Sequence, residues 1–322
     1  MDLIYTDAEH RDVGVLHDYT FDLAFGSDEN DFELTVDLNR HCCKPNSLVY
    51  IEGTEYGGIV DKLGVVTEGE KLYYMGRTWH GILASKIIEP DDGEAYMTVA
   101  GEANEVIRSV IGRLGLTALF SVSEEDSDIR IGKYSFDRYV NGYVGLTKML
   151  ASVSAKLKFK FASGKVVLSA LPIVDYSKDE QFDNDQVEMT FEKTYNGTNH
   201  LICLGKGELA EREVVHLYMN AKREIQETRA FTGIQEIMDV YDYPNAESLD
   251  ELKKKGIEKL KEYAVEDKVQ LDFASEETVY DIGDIIGAKE IKTGTYASEK
   301  ITKKIVTINN GLVNIQYKVG EQ

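Results

Sequence analysis

The amino-acid sequence predicts an α+β fold, dominated by strand and divided into several domains. Three observations carry that expectation. Nineteen Tyr stand against a single Trp in a chain rich in Val, Ile and Thr, residue types that suit a pleated, half-buried surface. Short, mostly alternating apolar runs broken by Gly, Asp and Asn crowd both ends of the chain. Helical periodicity is confined to the middle. A chain of 322 residues is long enough for roughly two to four small domains rather than one core. Its 43% hydrophobic and 29% charged content is that of an ordinary folded protein. Only 4 Pro and no low-complexity run leave no obvious disordered linker.

The elements follow in order. "LIYT", "FDLAF", "FELTVDL", "SLVYIEG", "GGIVDKLGVV" and "KLYYMGRT" read as short strands of a small barrel or sandwich, residues 1–95. In "TWHGILASKIIEP", Ile82, Leu83, Lys86 and Ile87 predict about one and a half turns of helix stopped by Pro90. Residues 96–175 predict an α+β insert of two helices and a hairpin. Val106, Ile107, Val110, Ile111 and Leu114 form one helical face that ends at Gly115. Leu146, Met149, Leu150 and Val153 form another, and "KFKFASGKVVLSAL" turns back at Ser163-Gly164.

Residues 176–265 predict a mixed β/α domain, with strands at 201–204 and 214–219 and a helix over 246–264. Ser248 is its candidate cap, Leu249, Leu252, Ile257, Leu260 and Tyr263 supply its apolar face, and its Lys-rich face reads as solvated. Residues 266–322 return to strands in a second small β domain.

The two end domains share a hairpin grammar. "YGGIVDKLGVVTEGEKLYYMGR" at 56–77 and "EKITKKIVTINNGLVNIQYKVG" at 299–320 each carry an Ile-Val pair, a glycine-containing turn and a second strand ending in an aromatic and Gly. Each follows a strand at a tight Gly or Pro turn, "KPNSLVYIEG" and "DIGDIIGAKE". Internal duplication and the common chemistry of antiparallel hairpins both account for this pattern.

Composition also bounds function. A formal net charge of −21 repels nucleic-acid phosphates and anionic membranes, so stable binding to either is not expected, although an acidic surface also serves solubility alone. Three Cys, two of them adjacent, make no disulfide framework and fit folding in a reducing compartment. The N-terminal stretch has no basic n-region followed by a long apolar run, so no signal peptide is expected, and no apolar run approaches the ~20 residues of a membrane span.

No catalytic, cofactor-binding or metal-ligating residue is assigned. There is no phosphate loop, no G-x-S-x-G elbow and no H-E-x-x-H among His10, His17, His41, His80, His200 and His216. His41, Cys42 and Cys43 read as buried thiols or turn residues, since adjacent cysteines do not readily face one tetrahedral ion. The acidic runs at 179–188 and 27–33 lack the spacing of a calcium loop and read as solvated. No particular carboxylate pair marks a glycosidase. Trp79 reads as a core or domain-interface residue, Arg77 as solvated or paired at an interface, and Gly57, Gly58 and Gly283 to Gly287 as bulges or corners.

"GRTWHGILASKII", "NHLICLGKGELAEREVVHLYMN", "YDYPNAESLDELKKKGIEKLKEYA" and "VYDIGDIIGAKE…ITKKIVTINNG…IQYKVG", in that order, resemble the siphovirus ReqiPepy-type tail proteins, which are similar to phage baseplate hubs and come from phages or prophages of Gram-positive hosts. The resemblance implies two related small β barrels joined by α/β inserts. It implies a homotrimer whose six barrels meet a sixfold tail tube, with the tube or distal tail protein and tip or tape-measure proteins as partners. It implies a place in the virion tail after synthesis in the host cytoplasm, and a structural role without catalysis. Many tail-tip proteins continue into long extensions, whereas this sequence stops after its last hairpin. The competing expectation is a carbohydrate- or receptor-binding tip protein, for which Tyr-rich strands suit sugar stacking. A tail-associated peptidoglycan hydrolase is the third.

Overall fold

A computed structural model describes residues 1–178, 181–183, 188–192, 197–263, 268–274 and 279–320. The chain forms two compact units, Met1–Thr190 with Val269–Gln322, and Phe191–Lys268.

In the larger unit the alternating runs of both chain ends enter one antiparallel sheet. Its order runs Lys268–Ala274, Leu312–Val319, Tyr296–Asn309, Thr20–Gly26, Asp31–Asp37, Lys71–Thr78, Gly57–Val66, Leu48–Tyr50, Leu3–Thr6, Asp12–Leu16. The two separate barrels expected at the chain ends are therefore corrected: no closed barrel is formed among the described residues. Instead Tyr296–Asn309 pairs with Thr20–Gly26, from Asn309↔Thr20 to Lys303↔Gly26. The reason lies in the alternation of both strands. Phe21, Leu23 and Phe25 are buried opposite Ile308, Val306 and Lys304, so each strand completes a core face that the other lacks.

The insert packs against this sheet within the same unit. α1 (Trp79–Ala84) starts where the Thr78 hydroxyl accepts the Gly81 N–H at 3.3 Å. It stops at Ser85 rather than at Pro90, because the chain leaves to pair Ile87–Ile88 with Val140–Asn141. α2 (Ala103–Arg113) is capped by Glu102, whose carboxylate accepts the Glu105 N–H at 2.8 Å. It buries Val106, Ile107, Val110 and Ile111 and ends at Gly115 with φ +69, the left-handed C′ glycine that the spacing predicts. α3 (Gly142–Ala151) is capped by Asn141 and buries Leu146, Met149 and Leu150. The hairpin Ala155–Ala162 and Lys165–Pro172 turns at Ser163 and Gly164, both with positive φ. The buried apolar residues of α2, α3 and the hairpin share one core with Trp79, Ile82 and Leu83.

The smaller unit is a four-stranded sheet, in the order Ile225–Gln226, Val214–Met219, His200–Leu204, Met238–Asp242. α4 (Leu249–Tyr263) covers one face of it, burying Leu201, Cys203, Leu217, Leu252 and Leu260. The Ser248 hydroxyl accepts the Glu251 N–H at 3.2 Å, as a cap should. Leu249, expected on the apolar face, is 51% exposed in the first turn, and residue 264 lies outside the described residues.

Candidate assembly surface

The two hairpins of similar grammar lie in meanders of the same design. In the first, Leu48–Tyr50 pairs with the opening residues of Gly57–Val66, which then pairs with Lys71–Thr78. In the second, Ile285–Lys289 pairs with the opening half of Tyr296–Asn309, which then pairs with Leu312–Val319. Each long strand breaks register once, between Val60 and Lys62 and between Ile301 and Lys303. The skipped residues, Asp61 and Thr302, each sit where the long strand leaves its short neighbour, and a one-residue bulge bends the strand at that point.

The meanders differ beyond the bulge. The outer edge of residues 303–309 is occupied by Thr20–Gly26. The corresponding edge of residues 62–66 has no strand partner among the described residues. Leu63 and Val65 stand opposite Tyr74 and Leu72, whose side chains are buried, yet they are 50% and 51% exposed. The apolar face of the sheet therefore runs on past the part this chain covers.

Ion pairs lock the seam between the chain ends. Lys304 Nζ lies 2.6 Å from Glu55 and 3.7 Å from Asp281. Lys158 pairs with Asp281, and Lys156 donates to both oxygens of Asp284 at 2.7 Å. Asp284 also accepts the backbone N–H groups of Val174 and Asp281. Glu55 comes from the first segment, Lys156 and Lys158 from the insert hairpin, and the rest from the last segment. Burial works against the charge of Glu55, but Lys304 and Lys158 hold its carboxyl below the usual range. Asp281 is lowered in the same way against burial, by Lys158, Lys304 and Lys156. His80 lies between the rings of Phe25 at 4.6 Å and Phe159 at 3.8 Å. Burial pushes its pKa down to about 3, with Glu55 opposing and the lysines assisting, so the imidazole is neutral.

The run at 27–33 is largely exposed, as its composition predicts, but it also has a role that the composition does not show. Asp28 and Glu29 hold the buried Lys303 at 3.0 and 2.6 Å. The only trace of this in the sequence is the place of Lys303 and Lys304 inside an otherwise apolar alternation. Arg77, expected to be solvated or paired at an interface, stays partly exposed and grips both oxygens of Asp61 at 2.8 and 2.9 Å, and so fastens the bulge residue. Asp61 and Arg77 line a shallow cavity of about 560 Å³, with Asp22, Asp31, Glu33 and Lys62 beside apolar Leu23, Ala24, Phe32, Met75 and Ile305.

The remaining singled-out residues separate. Trp79 is fully buried, stacked on Phe161 at 5.3 Å. Gly57 and Gly58 allow close backbone approach: a Cβ on Gly58 would sit 2.2 Å from the Arg77 carbonyl oxygen. His10, His17 and His41 are exposed on separate loops or turns. Cys43 is buried and Cys42 half-buried beside it. The acidic run at 179–188 includes residues 179–180 and 184–187, which lie outside the described residues. In the smaller unit His200 bridges Glu236 and His216, at 2.8 Å each, and Arg229 pairs with Glu236. This chain of contacts was not anticipated; the cross-strand position of the two histidines on neighbouring runs was its only trace. Among the described residues, no group of three His, Cys, Asp or Glu is placed to hold a metal ion.

No protein-family model matches the sequence, and no curated protein matches it. Solved structures do match the fold. The 43 kDa tail protein of prophage MuSo2 from Shewanella oneidensis aligns with a TM-score of 0.55 at 9% identity, covering 99% of this chain and 98% of that one. The prophage tail protein gp18 from Listeria monocytogenes EGD-e aligns at 0.55 and 13% identity, covering 100% and 95%. A tail protein from Neisseria meningitidis MC58 aligns at 0.52 and 12% identity, covering 100% and 96%. The chain thus has a β-rich fold that phage and prophage tail proteins adopt along nearly their whole length.

Proposed function

We propose that the chain is a structural subunit of a phage tail hub, in which three copies form a ring joining the tail tube to tip proteins without catalysis. The observation that carries this reading is the unequal finish of the two meanders. One has its outer edge capped by Thr20–Gly26; the other leaves residues 62–66 open beside half-exposed Leu63 and Val65. An antiparallel strand from a neighbouring copy would fill that edge and give both meanders the same surroundings. Each copy then presents two like surfaces, and three copies present six to a sixfold tube. The similarity to tail proteins over almost the full chain supports a place in the virion tail. In this reading the tube or distal tail protein docks on one side and tip or tape-measure proteins on the other.

The outward acidic face with Asp22, Asp31 and Glu33 is assigned to the bore, where a negative wall avoids retaining the DNA that passes. Light scattering of the purified protein, alone and with a tail-tip partner, tests the ring. The expected result is the mass of three chains in at least one of the two; a single chain in both would overturn it. A clear zone in peptidoglycan zymography would overturn the non-catalytic role.

A further inference from the structure

The adjacent thiols of Cys42 and Cys43 belong neither to the seam nor to the open edge. Their Sγ atoms lie 3.7 Å apart, within reach of a thiol hydrogen bond in which either can donate. Both backbone N–H groups donate to the Tyr74 hydroxyl, at 2.9 and 3.1 Å, which fixes the bend that brings the sulfurs together. Tyr74 is itself buried in the sheet, so the bend rests on a rigid element.

Two chemistries are open to such a pair, and the geometry separates them. A disulfide requires the sulfurs to close to about 2.05 Å and the Cα atoms to stand about 4.4–6.8 Å apart. Adjacent residues across a trans peptide are held at about 3.8 Å, and no cis peptide is present, so a disulfide here is strained and easily reduced. Two thiolates on one soft centre are spaced differently. Two bonds of about 2.3 Å from one soft centre, even at the narrow angle of a pyramidal three-coordinate atom, hold the sulfurs more than about 3 Å apart, far nearer the spacing found than a disulfide is. No third protein ligand stands nearby among the described residues. The centre must therefore be satisfied by two protein sulfurs and bring its remaining substituent with it. Half-buried Cys42 is the side from which it enters, with buried Cys43 closing the chelate.

We propose that Cys42 and Cys43 form a chelating dithiol site for a soft, thiophilic centre of the trivalent organoarsenic class. With an aryl arsenoxide, two S–H bonds break and two As–S bonds form. The arsenic-bound oxygen leaves as water with both protons, and no oxidant or reductant is consumed.

Phenylarsine oxide is the probe, added at one equivalent in the presence of excess monothiol and read by intact mass and thermal unfolding. One phenylarsenic group is expected to remain bound, to be displaced by a small dithiol, and to raise the unfolding temperature, because a site preformed in the folded chain binds it better than the unfolded chain does. Cys42→Ser and Cys43→Ser should each lose the adduct, while Cys203→Ser, altered beneath α4, should keep it. Loss of the adduct to the monothiol, an unchanged or lowered unfolding temperature on binding, or retention in Cys42→Ser would each overturn the proposal.

Discussion

Lys304 Nζ lies 2.6 Å from the carboxylate of Glu55, 249 residues away in sequence, with the lysine side chain 0% and the glutamate side chain 10% exposed. The pair ties Tyr296–Asn309, the C-terminal partner in the seam, to the loop before Gly57–Val66. At this depth each charge depends on the partner fixed beside it.

Removing one partner should therefore cost more than removing both. Lys304→Met leaves Glu55 buried without its nearest cation and is expected to destabilise the larger unit by about 3–5 kcal/mol. The double variant Lys304→Met/Glu55→Gln should recover a substantial part of that loss. Urea unfolding of the two single variants and the double variant gives the coupling energy; strict additivity would show that the pair is not a unit.

His80 sets a second expectation, in pH. Its folded pKa is depressed to about 3, while the unfolded chain titrates near 6.5. Below about pH 6.5 the unfolded state therefore binds a proton that the folded state refuses, and stability falls as pH falls towards 3. Glu55 and Asp281, both lowered in the folded state, add a further loss only below about pH 4, where the unfolded carboxylates begin to protonate. Between pH 7.5 and 5.5 the His80 contribution is about 1.4 kcal/mol. His80→Phe should flatten the stability profile by that amount across this window, measured by denaturant titration at both pH values.

Much of the fold was legible because it depends on near neighbours. The Gly115 stop of α2, the Ser163-Gly164 turn and the Ser248 cap each follow from residues within one turn of each other. The seam was not legible, because alternation in Thr20–Gly26 and Tyr296–Asn309 states that each strand has a buried face but not which strand lies beside it. The same holds for the ion pairs. Nothing in the local pattern around Lys156, Lys303 and Lys304 names their partners Asp284, Asp28 and Glu55, which pairing across the whole chain brings to them.

Gly26 should be intolerant of any side chain. It has φ +143, and a Cβ would sit 2.2 Å from the Thr302 carbonyl oxygen, at the bulge of the seam strand. Asn30 also clasps its N–H and C=O, both at 3.1 Å. Gly26→Ala is expected to lose on the order of 2–3 kcal/mol. Hydrogen exchange should localise the loss to the amides of 303–309; a loss spread evenly over the sheet would contradict this account.

The acidic outward face should be inert to DNA. At ~0.15 M salt the protein is expected to show no duplex binding, since association needs Lys and Arg to release counterions. Replacing Asp22, Asp31 and Glu33 by Lys reverses the sign of the face around the Asp61–Arg77 pair. Such a variant should bind duplex DNA with an affinity that falls steeply as salt rises. Electrophoretic mobility at two salt concentrations distinguishes this from non-specific aggregation, and duplex binding by the unaltered protein would refute the assignment of this face to a bore.

The open edge gives the sharpest separation between fold and assembly. Leu63 and Val65 lie on the core side of the sheet but beyond the core, opposite Tyr74 and Leu72. Lysine at either position meets solvent in a single chain, so Val65→Lys should change stability by less than about 0.5 kcal/mol. In a ring whose neighbouring copy adds a strand at residues 62–66, the same lysine enters an apolar contact and blocks the edge, a device by which natural sheets stay monomeric. Sedimentation of Val65→Lys should show single chains at concentrations where the unaltered protein forms trimers, with an unchanged circular dichroism spectrum. Trimers that survive both Leu63→Lys and Val65→Lys would place the contact elsewhere on the molecule. A variant that unfolds would instead mean that the two side chains already have a covering within the chain.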